Sequence, residues 1–460
     1  MKDITFKPLS KADFKKYMKQ GLGRCALCLE EADNVEKYKE IVLFGCLHNL
    51  SYDMQCEGTR AKYVYRLTKY FDDTDYFLLP TVNAFDSLTA KGDVVFSHLA
   101  DLLYEFAVDG NAVAREALDR KREHLFIRLL GKKITRSYDF DRDNLERLLV
   151  NELALNGYSI ESVLKTVSDL GYLFSVNEHY ACFDFDWLCS RVAKQIGKKK
   201  LISLLKKNGA ENENIRCFLE RYSEYLKEIA PAPRETKIPT VEDMKGEINE
   251  LANIPIISKL RFIRNASYEE TRELAVVIIF EQDIKKKCAL LSFLNYRDGA
   301  VNFPPRDLIE YSHSDNESLR SAALSVMAKC RAEEIKEYAL KLLSDGKYKT
   351  EALEILIGNY DDAVKELLLS ELYALKVDYD ETVDWHSVDL KILSAKDMGV
   401  KLPREFFLYV YETTLCSSCR KFALREMKDR RLLTRDIIEE CRYDSNAAIA
   451  RYVNRYYKKQ

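Results

Sequence analysis

The 460-residue sequence predicts an all-α protein assembled from stacked helical hairpins. Three observations lead there. Only 9 prolines and 16 glycines punctuate the chain, and no proline falls between Val82 and Ala230, so helix-breaking residues are scarce over a long stretch. Apolar residues recur at i, i+3, i+4 and i+7 through segment after segment, the spacing of one buried helical stripe. Finally, Asp109-Gly110 and Asn156-Gly157 follow amphipathic segments and read as helix C-caps; no such pair joins alternating strand-like runs.

The clearest pair of helices runs from Ser314 to Gly346. Ser314 and Glu317 have capping-box spacing. Leu319, Ala322, Ala323, Val326, Met327 and Cys330 form one stripe, Arg331-Ala332 the connector, and Ile335, Tyr338, Ala339, Leu342 and Leu343 a second stripe before the stop at Asp345-Gly346. A hairpin this short cannot enclose its own stripes, so it requires similar hairpins on both sides.

In order, a first helix is expected from Ser10 toward Glu31. Asp33 and Glu36 suggest a second capping box, with Val35, Tyr38, Val42 and Cys46 behind it. A third helix from about Ser51 carries Tyr52, Cys56, Tyr63 and Leu67. Asp75 to Leu88, Asp93 to Val108 and Asn111 to Leu130 follow. Next come a helix from Asp141 with Leu145, Leu148, Leu149 and Leu153 inside, then Ser159 to Leu170, Phe183 to Ile196, Lys199 to Lys207 and Asn212 to Ile229. Three prolines between Pro231 and Pro239 favour an extended linker. The expected division is therefore 1–230, a Pro-rich linker at 231–240, and 241–460. The second segment should break at Asn253–Pro255, Asn302–Pro305, Asp378–Asp384 and Lys401–Pro403. Its last helix, from near Asp444, should bury Ile449, Tyr452, Val453 and Tyr456.

Composition narrows the function classes. With 72 basic and 74 acidic residues the chain lacks the overall basic excess of a dedicated nucleic-acid binder. Twelve cysteines without an even framework of spacings suit buried thiols in a reducing compartment, and the longest apolar run, Leu274 to Phe280, is far too short to span a bilayer. A cytoplasmic protein without a membrane partner is expected. No phosphate-binding loop, dinucleotide fingerprint, nucleophile elbow or HExxH motif occurs, so no cofactor and no catalytic residue is assigned.

The helix after Ser314 resembles the motif-bearing helix of a HEAT repeat, of the armadillo-like α-solenoid family. The matching residues are Asp315, Arg320, Ala322 and Ala323, with looser echoes at Asn265, Arg272 and Ala275, at Arg420, Ala423 and Leu424, and at Asn111, Arg115, Ala117 and Leu118. The resemblance implies a right-handed α-α superhelix whose concave surface holds a protein or peptide partner. Such arrays serve as scaffolds and adaptors and, in one bacterial branch, as DNA glycosylases.

Four groups of residues invite a chemical role. His48, Asp53, Glu57 and Arg60 form the densest polar cluster. Asp53, Glu57 and Arg60 stand at i, i+4 and i+7, which makes either a small ligand or partner pocket or an ion pair tying adjacent hairpins. Cys25-x2-Cys28 and Cys416-x2-Cys419 have ligand spacing, but both lie in helical pattern, and no histidine is near the second pair in sequence. They read as small core residues, and no metal ligand is assigned. Asp184, Trp187 and Arg191, with His179 nearby, are the residue types with which HEAT-like glycosylases hold alkylated DNA. Basic runs around Arg120–Arg136 (including Arg128, Lys132 and Lys133), Lys198–Lys207 and Arg420–Arg431 would support nucleic-acid contact if they shared one face. The expectation is a non-catalytic binding or scaffold protein. The alternative is a nucleic-acid binder or a glycosylase of alkylated bases.

Overall fold

The computed structural model describes residues 8–88, 93–131, 140–176, 185–228, 239–246, 256–375 and 384–457. It is all-helical, with no strand among the described residues. The helices are α1 (Lys11–Gln20), α2 (Arg24–Glu31), α3 (Lys39–Leu47), α4 (Met54–Glu57), α5 (Ala61–Thr68), α6 (Asp75–Ser87), α7 (Asp93–Val108), α8 (Ala112–Leu130), α9 (Phe140–Leu155), α10 (Ile160–Val176), α11 (Phe185–Ile196), α12 (Lys198–Gly209) and α13 (Glu213–Glu228). There follow α14 (Ile256–Asn265), α15 (Tyr268–Phe280), α16 (Ile284–Leu294), α17 (Pro305–Ser312), α18 (Glu317–Met327), α19 (Glu333–Ser344), α20 (Lys349–Gly358), α21 (Lys365–Ala374), α22 (Asp384–Ser394), α23 (Arg404–Thr413), α24 (Ser417–Asp429), α25 (Arg435–Cys441) and α26 (Ala447–Tyr456). Among the described residues no helix is long and apolar enough to cross a membrane. The chain divides into two compact units, 1–232 with 434–460, and 233–433.

In the first unit the expected helix from Ser10 to Glu31 is two helices. Gly21 takes a left-handed conformation (φ 75°) and caps α1, which only a residue without Cβ does at little cost. The Asp33/Glu36 capping box does not form either. Asn34 Oδ1 accepts from the Glu36 amide (3.0 Å), a 3₁₀ turn covers Glu36–Tyr38, and α3 begins at Lys39. The stripe behind it is as expected at Tyr38, Val42 and Cys46, all fully buried, with Tyr38 stacked on Phe14 at 4.3 Å. Gly110 (φ 88°) and Gly157 (φ 60°) end α7 and α9 as left-handed C-caps.

Residues 434–457 follow the second unit in sequence and pack in the first. Arg24 donates twice to the Glu440 carboxylate (2.8 and 3.0 Å), with the Glu440 side chain 5% exposed. The Ser445 amide donates to Gly21 O (2.9 Å), and Arg66 donates to the carbonyls of Tyr443 and Asp444. A Cβ at Gly23 would lie 1.9 Å from Glu440 O, so backbone meets backbone there and only glycine fits. On α26, Ile449 and Val453 are buried, whereas Tyr456 is exposed at the end of the stripe.

The second unit shows how its short helices share their apolar faces. Successive helices pair, as in α17 with α18, α19 with α20, and α23 with α24. Alternate helices also touch, giving the row α16, α18, α20, α22, α24. In the Ser314–Gly346 hairpin the stripes are buried at Leu319, Ala322, Ala323, Val326, Met327, Ile335, Ala339 and Leu342, whereas Tyr338 and Leu343 are half-buried and Cys330 is buried beyond the end of α18; the cap is not Ser314. The Leu319 amide donates to Asn316 Oδ1 (3.0 Å), so α18 starts two residues late; asparagine is as good an N-cap as serine, and Ser314 accepts instead from the Asn316 amide. The connector is held by the next helix pair. Asn359 accepts from the Ala332 amide and donates to Cys330 O, while Gly358 lets backbone approach Ala328 O to a distance that a Cβ would close to 2.2 Å.

Of the four HEAT-like echoes, two share one contact. Arg320 donates to Ser314 O (2.9 Å) and the fully buried Arg420 to Thr414 O (3.5 Å), each six residues back. Arg115 instead donates to Asn156, and Arg272 forms an exposed pair with Glu269.

Replacing Gly23 with valine should open the first unit where its two ends meet. We expect a loss of about 1–3 kcal/mol or more in chemical denaturation, with protease cleavage appearing between 430 and 446. Unchanged stability and cleavage would contradict the close approach at Glu440.

Candidate functional site

The His48–Arg60 cluster resolves into separate contacts. Arg60, N-cap residue of α5, pairs with Glu57 at 3.0 Å, their side chains 2% and 3% exposed, and donates to Lys19 O at the end of α1. Asp53 accepts from the Cys56 amide in the first turn of α4 (3.4 Å). His48 turns back on its own helix, with Nδ1 2.9 Å from Phe44 O and its ring stacked on Phe44 at 4.1 Å. Glu57 and Arg60 are thus brought together as a buried tie between α5 and α1, and His48 is not over them.

Of the residues considered for DNA, Asp184, Lys132 and Lys133 lie outside the described residues, as does the side chain of Trp187. Arg191 is exposed on α11. Arg128 pairs with the buried Asp141 at 3.1 Å. Its neighbours in the first basic run are also engaged: Arg120 with Asp86, Arg122 with Asp119 and Glu152, and Lys121 with the carbonyls of Asp86 and Leu88. In the third run Arg420 is buried and Arg430 is held by Glu426 and Leu402 O. Lys198, Lys199, Lys200, Lys206 and Lys207 differ. All five are exposed on α12, and no carboxylate pairs with them among the described residues.

Beside α8 a groove of about 580 Å³ opens toward α9 and α10. Phe126, Ile127 and Leu149 supply its apolar part, and Arg122, Glu152 and Lys165 its charges. Ile127 is 69% exposed although α8 already buries Leu118, Leu125 and Leu129 on another face. Ile127 therefore stands apart from the covered stripe of α8, beside the partly buried Phe126.

The second unit holds a constellation that the sequence does not reveal. Cys416 is the N-cap of α24, and its Sγ accepts from the Cys419 amide (3.5 Å). His386, from α22, places Nε2 3.2 Å from Cys419 Sγ, and the three donor atoms lie within 4.8 Å of one another. The expectation that no histidine accompanies this pair fails because α22 and α24 are neighbours in the row, although 30 residues separate His386 from Cys416. The hydrogen bond from the Cys419 thiol, then those from His386 and the Cys419 amide, hold the Cys416 thiol well below its ordinary range against the opposing effect of burial. Asp389, one turn along α22, is 1% exposed; burial pushes its carboxyl up to about 7, against a hydrogen bond with Thr414 and the charge of His386.

Cys25 and Cys28 share the spacing and none of the setting. Cys25 Sγ donates to Phe14 O and Cys28 Sγ to Tyr38 Oη, both inside the apolar core, and burial pushes the Cys25 thiol far up. These are inert core thiols, as their helical context suggests. A scan against protein-family models finds no match for the chain, and neither does a search of curated proteins.

Arg60→Ala should cost about 3–5 kcal/mol, because it strands Glu57 without its partner in the core. Glu57→Gln, which retains a hydrogen-bonding group, should cost less. Denaturant titration of both variants checks this ordering; equal and negligible losses would show the pair to be dispensable for the fold.

Proposed function

We propose that the chain is a non-catalytic binding protein of the HEAT-like α-solenoid kind, which holds a protein or peptide partner in the cytoplasm. The groove between α8, α9 and α10 carries this reading, since the exposed Ile127, framed by charges of both signs, is what a partner surface offers. A short segment with an apolar anchor and flanking charged groups suits it. The rows of alternating helices and the repeated arginine-to-carbonyl contact at Arg320 and Arg420 support the solenoid relationship and the right-handed superhelix that goes with it. The free thiols among the described residues are in keeping with a reducing compartment.

A second reading, a polyanion such as nucleic acid, is favoured by one observation. Three of the α12 lysines stand in the first turn, where no acidic residue occurs and the helix dipole disfavours cations. Their placement costs stability unless an anion meets them.

Selection from a random peptide library on the full chain tests the first reading. We expect enriched peptides with an apolar anchor whose affinity falls at least about tenfold with Ile127→Glu, as removal of a central anchor does. Ile127 is exposed, so the fold should be unaffected. If no peptide is enriched, and duplex DNA instead binds with an affinity that falls steeply with salt and is lost on reversing the α12 lysines, the second reading replaces the first.

A further inference from the structure

Two thiols and an imidazole rarely converge by packing alone. A zinc ion held at about 2.3 Å from sulfur and 2.0–2.1 Å from nitrogen separates tetrahedral donors by roughly 3.5–3.8 Å. The donors of Cys416, Cys419 and His386, within 4.8 Å of one another and with one pair at 3.2 Å, need only small adjustments to reach that geometry. They come from two packed helices, so the set is positioned before any ion arrives. The N-terminus of α24 favours thiolates at Cys416 and Cys419, and two thiolates neutralise a divalent ion. Soft sulfur with imidazole selects zinc over magnesium or calcium. A tetrahedral ion needs one more donor, which water supplies; the buried Asp389, one turn along α22 from His386, is not among the donors within 4.8 Å of one another. His386 is only partly buried, which leaves an entry path.

We propose that Cys416, Cys419 and His386 bind one zinc ion, with water in the fourth position, and that the ion staples α22 to the first turn of α24. The site is structural, and it does not depend on which partner the first unit holds.

The full chain, expressed with zinc and purified without chelator, should carry about one equivalent of zinc by elemental mass spectrometry. Cys416→Ser should carry none. Serine is the better N-cap, so this variant keeps the start of α24 while removing a thiolate. His386→Gln gives a second test at a partly exposed position, should the first variant fold poorly. Cys25→Ser/Cys28→Ser should retain the metal. The proposal is overturned if the native chain neither carries nor takes up zinc, if Cys416→Ser and His386→Gln hold as much as the native chain, or if the intact mass is two hydrogens low through a Cys416–Cys419 disulfide.

Discussion

Among the described residues, α-helices of 8 to 13 residues build the second unit, and none of them can cover its own apolar stripe. Burial therefore takes place between helices, and every stripe depends on the next pair. Val326 and Met327 on α18 are fully buried because α16, α17 and α20 close around them. The polar chain ends between helices face the same demand: Asn359 satisfies backbone groups of a connector belonging to the preceding hairpin, and the buried Arg420 donates to the carbonyl of Thr414.

The alternate-helix contact that buries the stripes also has a chemical consequence. Residues far apart in sequence become neighbours whenever they occupy corresponding turns of one row. His386 meets Cys416 and Cys419 in this way. The two C-x2-C pairs illustrate the difference that context makes. Cys25 donates its proton to a carbonyl in an apolar core, whereas Cys416 accepts from an amide at a helix N-terminus, with an imidazole alongside. Identical spacing yields a thiol sealed in apolar core in one place and one beside an amide and an imidazole in the other.

Periodicity made the helical class legible, together with most stripes and the left-handed caps at Gly110 and Gly157; the connector expected at Arg331-Ala332 instead spans five residues, from the end of α18 at Met327 to the start of α19 at Glu333. Stripes and caps are written in local sequence. The break at Gly21 was not, since a single glycine inside an apolar pattern is compatible with a continuous helix until the chain must turn. The choice of Asn316 over Ser314 as cap was degenerate, because both residues cap equally well. The Arg24–Glu440 pair and the close approach at Gly23 join residues more than 400 positions apart, beyond any pattern of spacing. At the candidate sites, the expected single helix from about Ser51 is broken at Gly58 (φ 72°), so Glu57 at the end of α4 and Arg60 at the N-cap of α5 pair across a turn and not along one helix, while the turning of His48 toward Phe44 depended on a ring contact. The His386–Cys416–Cys419 set needed the row order of helices, which no window of sequence contains.

X-ray absorption at the zinc edge tests most directly whether that row order assembles a site. The fold predicts a mixed shell of two sulfurs at about 2.3 Å and two nitrogen or oxygen donors at about 2.0–2.2 Å. A shell of four sulfurs, or one without sulfur, would contradict the convergence of α22 and α24 on a single ion.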